Sequence, residues 1–230
     1  MKNLSNIQNS REMVISFMII RRAVGILGVA LPVLLALGTM LIGGRGCRCI
    51  EPSISNYYYT IMGNVLVGVL CAVSLFLFTY RGFDKKDNIS SSFAGLFALG
   101  IAFFPMNIES SKDDCDILTR CDNTWRNGVH YGSAALFFIT LAYISYCLFT
   151  KTHHADKNQP MTANKKKRNI IYRVCAIIMI ASIAVIGSLL IPEVGKKLSP
   201  YKLTIIFETI ALWAFGLSWL TKGEFLLKDR

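Results

Sequence analysis

Few side chains in this chain are equipped for chemistry, and most of them fall in or near one segment, CRCIEPSISNYYYT (Cys47–Thr60). It holds two cysteines, a carboxylate (Glu51), Ser53, Ser55, Asn56 and three consecutive tyrosines, all directly before a long apolar run. Further along stand His130 and Glu208, each embedded in apolar sequence. A serine hydroxyl, an imidazole and a carboxyl group within hydrogen-bond reach can run nucleophilic or acid–base chemistry. The same three groups can equally bind a polar headgroup.

These residues must be positioned by helices. The chain has 230 residues, is 53% hydrophobic and only 17% charged, with a mean hydropathy of +0.45. Its apolar residues are gathered in blocks of about 20, the length that crosses a hydrocarbon core. The expected fold is all-α: a polytopic, integral membrane six-helix bundle forming one domain over 1–230. Its spans are expected at about 23–42, 59–80, 90–106, 130–150, 170–191 and 203–220. No cleavable signal peptide of the usual form is visible, because Arg21 and Arg22 follow the first apolar patch without a small-residue cleavage site. Residues 13–20 are then either an extension of the first span or a short interfacial helix, with Asn9 and Glu12 as its capping box.

Orientation follows from the basic residues. With six spans, 17 of the 25 Lys and Arg residues fall on the side of the termini and 8 on the other, so both termini are expected in the cytoplasm. Cys47, Cys49, Cys115 and Cys121 then lie in the outer 1–2 and 3–4 loops, where disulfides persist. They are disulfide candidates of unassigned pairing, and their C-x-C and C-x5-C spacing is not that of a standard zinc finger. Tyr57, Tyr58, Tyr59, Trp125 and Tyr201 are expected at the outer interface, Tyr80 and Trp219 near the inner one.

Three spans carry polar or small residues at helical spacing. They are Tyr57, Thr60, Asn64, Gly68 and Cys71; His130, Ser133, Phe137 and Thr140; and Tyr201, Thr204, Glu208, Ala211 and Phe215. Ala94, Ala98 and Ala102 make a close-packing face on the third span. Glu208 is the most informative residue. A charge at the bilayer centre costs about 2.5–3.5 kcal/mol on insertion scales, so Glu208 must face the bundle and find a donor or keep its proton. His130, Asn64 and Lys202 are its candidate partners. The candidate ligand-binding set is Glu208, His130, Asn64, Tyr57 and Ser55, lining an outward-facing polar pocket for a lipid or small amphiphile. A lipid hydrolase, with Ser53 or Ser55 as nucleophile and Glu208 or Glu51 with His130 as acid and base, and a proton-coupled transporter remain open alternatives. A packing role for Glu208 is the plainest reading beside them.

The net charge of +11 and the run Lys165, Lys166, Lys167 and Arg168 could suggest nucleic acid. Directly before a span, such a run sets topology and contacts anionic lipid, at about 1 kcal/mol per residue; membrane lipids, and no nucleic acid, are the expected partners. No phosphate loop, G-x-S-x-G or H-E-x-x-H occurs. No metal or cofactor is expected, since His130 is the only histidine near a span and His153 and His154 sit in the basic 4–5 loop.

ISNYYYT (54–60), LVGVLCAVSLFLFTYRGFDKKDN (66–88), GLFALGIAFFP (95–105), NGVHYGSAALFFITLAY (127–143) and FETIALWAFGLSWLTKGE (207–224) carry a resemblance. Together they resemble the bacterial membrane proteins grouped as domain of unknown function 998 and, more loosely, the FRAG and DRAM group. The resemblance covers most of the chain from about residue 50. It implies six spans in a bacterial inner membrane and assigns no chemistry. Alkaline ceramidases and adiponectin-receptor-like hydrolases, by contrast, hold zinc with an H-x-x-x-H pair that this chain lacks.

Overall fold

The computed structural model describes residues 2–42, 50–82, 84–106, 124–151 and 162–227. Among them the chain is all-helical. The helices are α1 (Lys2–Ile42), α2 (Gly63–Thr79), α3 (Lys85–Phe103), α4 (Thr124–Tyr143), α5 (Ala163–Leu189), the short α6 (Pro192–Leu198) and α7 (Leu203–Lys222). A π-helical turn, Ile144–Leu148, prolongs α4, and 3-10 turns occupy Ser55–Tyr59 and Ser199–Tyr201. Four helical stretches are long and apolar enough to cross a membrane: Phe17–Ile42, Trp125–Leu148, Ala163–Leu189 and Leu203–Lys222. α2 is apolar but shorter. Exposed Leu41, Leu75, Phe93, Leu96, Ile170 and Ile177 give the bundle the greasy exterior such helices need.

The six long helices close into a ring in the order α1, α2, α3, α4, α5, α7, with α7 returning to α1. Small residues set the close contacts, because among apolar helices it is backbone approach rather than hydrophobic burial that holds neighbours together. Gly25 on α1 and Gly216 on α7 face each other so closely that a Cβ on either would lie under 3 Å from the other's carbonyl oxygen. Ala94, Ala98 and Ala102 are all buried, which is the close-packing face expected of α3. Beside them Ser74 Oγ donates to Gly95 O at 2.8 Å, joining α2 to α3. Ser145 Oγ donates to Ser218 Oγ at 2.9 Å, joining the π turn to α7.

One end of the ring is plugged by rings stacked edge to face. Trp219 meets Tyr80 at 5.2 Å, Phe149 at 5.3 Å and Phe215 at 6.1 Å between centroids. The basic residues gather at this end: Lys165 Nζ and Lys222 Nζ both donate to Phe149 O, and Arg168 lies 3.6 Å from Glu224. The opposite end is covered by residues 50–62, here called the strap.

Several sequence expectations change. α1 runs unbroken from Lys2, so residues 13–20 extend the first span and no helix starts at Asn9. Tyr57, Tyr80 and Trp219 are buried at 1, 4 and 0% exposure, so they are core residues rather than headgroup anchors; Trp125 and Tyr201 are exposed. Lys165 and Arg168 turn inward while Lys166 and Lys167 stay exposed, since consecutive helical residues are about 100° apart and four in a row cannot share a face. Cys47, Cys49, Cys115 and Cys121 lie outside the described residues, as do His153 and His154. The described cysteines Cys71, Cys147 and Cys175 are free thiols.

Candidate functional site

The strap is built by short-range bonding and pinned by long-range bonding. Ile54 N-caps the 3-10 turn of Ser55–Tyr59, and Ser55 N–H donates to Ser53 Oγ at 3.1 Å. Thr60 ends that turn: its hydroxyl donates to Tyr57 O and accepts from the Met62 N–H, starting α2 only at Gly63. Gly63 is required there, because a Cβ would collide with the Tyr58 carbonyl.

On one side the strap is fastened to α7. A helix leaves its first N–H groups without internal acceptors, and Pro52 O takes the one from Ile205 at 3.0 Å. One turn further, the Glu208 carboxylate accepts from Ser53 Oγ at 2.9 and 3.0 Å and from Ile54 N–H at 2.5 Å. Lys202 Nζ donates to Ile50 O, also at 2.5 Å. On the other side Tyr59 Oη donates to Met106 O at 2.7 Å, just past α3. Ser55 Oγ meets His130 Nε2 of α4 at 2.9 Å.

The histidine's tautomer follows from its second contact. Nδ1 lies 2.9 Å from Phe104 O, a carbonyl that can only accept, so the proton is on Nδ1. Neutral Nε2 is then a lone pair, and the Ser55 hydroxyl donates to it. His130 is 4% exposed.

Two cavities meet at this point. One, of about 70 Å³, lies inside the ring and is walled by Leu31, Leu66, Leu70, Ile101, Phe137 and Leu212. The other, of about 260 Å³, lies between α4, α5 and α7 under the strap, bounded by Asn56, Tyr131, Ile183, Ile186, Leu189 and Thr204. Ser55, His130, Ala134, Phe138 and Glu208 line both. Among the described residues no lysine or arginine lines either cavity, while the larger one receives the Glu208 carboxylate and Asn56, whose amide oxygen is buried with no hydrogen-bond partner among them.

Of the residues expected at the site, Ser55, His130 and Glu208 are brought together. Tyr57 is buried beneath the strap with its hydroxyl 3.4 Å from the Glu51 N–H, and Tyr58 lines the inner cavity instead. Asn64 is exposed on the outer face of α2. The polar stripe drawn through Tyr57 and Asn64 assumed one continuous helix, and the 3-10 turn plus the bend at Thr60 breaks that register. The buried face of α2 is Leu66, Leu70, Val73, Ser74 and Leu77. The partners expected for Glu208 also change: serine and backbone N–H groups serve it, and His130 is two serines removed, through Ser53 and Ser55. Ser53 now belongs to the constellation as the residue linking Glu208 to the Ser55 N–H. For Asn56 the sequence carries no signal beyond membership of this polar segment; nothing in its spacing distinguishes it from its neighbours. Glu51, at the start of the strap, has its carboxyl pushed above the usual range by burial, which outweighs the attraction of Lys202.

Among the described residues no group of three or more His, Cys, Asp or Glu side chains is placed to hold a metal ion. No family model, curated protein or solved structure matches the chain. Fold and site together define an all-helical protein with four helices long and apolar enough to span a membrane. Its polar constellation is enclosed beneath a strap at one end.

Proposed function

We propose that this is a six-span membrane protein that binds a single-chain amphiphile, with the head beneath the strap and the first methylenes of the chain inside the bundle. The observation that carries the reading is the shared wall: Ser55, His130 and Glu208 stand where a small apolar chamber joins a larger, more polar one. Together the chambers reach only the lower end of the roughly 300–1,000 Å³ usual for small-molecule sites, which suits one chain better than two. The lining also selects the head. Among the described residues it offers the Glu208 carboxylate and the Asn56 amide oxygen and no lysine or arginine, so it suits hydroxyl or amine donors better than a phosphate monoester.

Six spans and cytoplasmic termini are part of this proposal. Supporting them are the ring of six long helices, the bias of Lys and Arg, and the gathering of Lys165, Arg168 and Lys222 at the end opposite the strap. The resemblance to domain of unknown function 998 proteins adds a bacterial inner membrane as the location. Exposed Lys166 and Lys167 suit contact with anionic lipid there.

Native mass spectrometry of the detergent-solubilised protein tests the binding. Ala134 lines both chambers, so Ala134→Trp fills their junction. The wild type should retain 1-O-alkylglycerol added at micromolar concentration, and Ala134→Trp should lose it with unfolding temperature preserved. Equal retention by both proteins would refute the cavity as the binding site.

A further inference from the structure

We propose that Ser55 is a nucleophile and His130 its general base, and that together they hydrolyse a carboxylic ester of the amphiphile bound between the two chambers. This rests on the binding reading above and adds a reaction to it.

Three features place the chemistry. The first is the pair itself. Ser55 Oγ lies 2.9 Å from His130 Nε2, inside the 2.6–3.2 Å needed between nucleophile and base. The Nδ1 proton is fixed on Phe104 O, so Nε2 is the nitrogen free to take the hydroxyl proton. A backbone carbonyl thus does the orienting that a carboxylate does in a Ser–His–Asp triad.

The second is rigidity. Ser55 sits on a strap held to α7 through Pro52 O, Ser53 Oγ and the Ile54 N–H, and held beyond α3 through Tyr59. Glu208 is therefore a positioning residue: it holds the two residues before Ser55 and does not touch the reacting atoms. The third is location. In a single-chain ester the carbonyl lies where the apolar tail ends and the polar head begins. The two chambers share such a junction, and Ser55 and His130 are in its wall.

The balanced sequence has two halves. Ser55 Oγ bonds to the ester carbonyl carbon while its proton passes to His130 Nε2. The resulting imidazolium, its Nδ1–H still on Phe104 O, returns that proton to the departing alkoxide, and the C–O bond to the alcohol breaks. Water then attacks the acyl-serine, giving a proton to Nε2 as it bonds. That proton goes to Ser55 Oγ as the acyl C–O bond breaks, releasing the fatty acid and restoring both side chains. Among the described residues the Asn56 amide oxygen has no partner, and it lines the larger chamber, where it can accept from the hydroxyl of the bound head.

The test uses the full chain in detergent micelles with a long-chain alkyl fluorophosphonate and a long-chain p-nitrophenyl ester. One phosphonyl adduct mapping to Ser55, and ester hydrolysis reduced at least 100-fold in Ser55→Ala and about 10²–10⁴-fold in His130→Gln, are the expected results. Ser55→Cys guards against a folding defect in the alanine variant: it should accumulate a thioester, seen as a mass gain of one acyl group. An unmodified wild type that still binds 1-O-alkylglycerol would overturn the nucleophile and leave the binding site standing. Loss of both would overturn the two proposals together, and an adduct persisting in Ser55→Ala would also refute the assignment.

Discussion

Glu208 provides the sharpest test of how the strap is held, because two substitutions there should differ by an amount the structure specifies. The carboxylate serves two donors, Ser53 Oγ–H, shared between both oxygens, and Ile54 N–H. Ser53 and Ile54 are each 6% exposed, so donors stripped of their acceptor there are shielded from water. A hydrogen bond to a charged group contributes about 1.5–3 kcal/mol. Glu208 itself is only half-buried, so water can repay part of the loss, and Glu208→Ala should cost about 2–4 kcal/mol. Glu208→Gln keeps an oxygen for Ile54 N–H and can turn its NH2 toward Ser53 Oγ, exchanging charged bonds for neutral ones at about 1 kcal/mol. For a chain of this size each kcal/mol shifts the unfolding temperature by about 2–4 °C. Thermal unfolding in detergent should thus fall by roughly 5–15 °C for alanine and a few degrees for glutamine. Hydrogen exchange at the Ile54 amide should rise on the order of 10²-fold in the alanine variant and little in the glutamine one. If the two variants unfold within a degree of each other, or if Ile54 exchange is unchanged in Glu208→Ala, Glu208 does not anchor the strap.

Four further predictions concern the scaffold. Gly25→Ala should lower stability by about 1–3 kcal/mol, because its Cβ would meet backbone atoms of Gly216 and Leu220. Gly68→Ala meets nothing within 4 Å and should raise stability by about 0.5–1 kcal/mol in the same unfolding assay. Lys151 is held above its ordinary value of 10.5, chiefly by its hydrogen bond to Asp84 and also by Asp87. A raised folded-state value means its contribution is complete below pH 10.5 and is lost as pH climbs through the raised value; Lys151→Met should flatten that alkaline decline relative to wild type. Glu51 has the same sign at the other end of the scale: its raised carboxyl favours the folded protein below 4.5 and loses that contribution as it ionises. Glu51→Gln should therefore match or slightly exceed the wild type at pH 7 and lose the advantage at pH 4, read from paired melting curves.

What could be read from the sequence was set by composition and length. Blocks of about 20 apolar residues require helices, since a lipid-exposed backbone must satisfy its own hydrogen bonds. A carboxylate within such a block must find donors, which singles out Glu208 from the sequence alone. The alanine spacing of α3 gave its packing face for the same local reason: side chain size repeats at the helical period.

Which apolar face turns inward is another matter. In a bundle with a greasy exterior both faces are hydrophobic, so periodicity carries little information, and Tyr57, Tyr80 and Trp219 prove buried where an interfacial position was expected. Only the tertiary structure decided the register of α2, because a 3-10 turn and the Thr60 bend rotate everything after them and send Asn64 outward. Only the tertiary structure, too, joined Ser53 to Glu208 across 155 residues and Ser55 to His130 across 75. Those bonds depend on where the ring closes and how the strap crosses it, and local sequence periodicity does not encode the distance between separate helices.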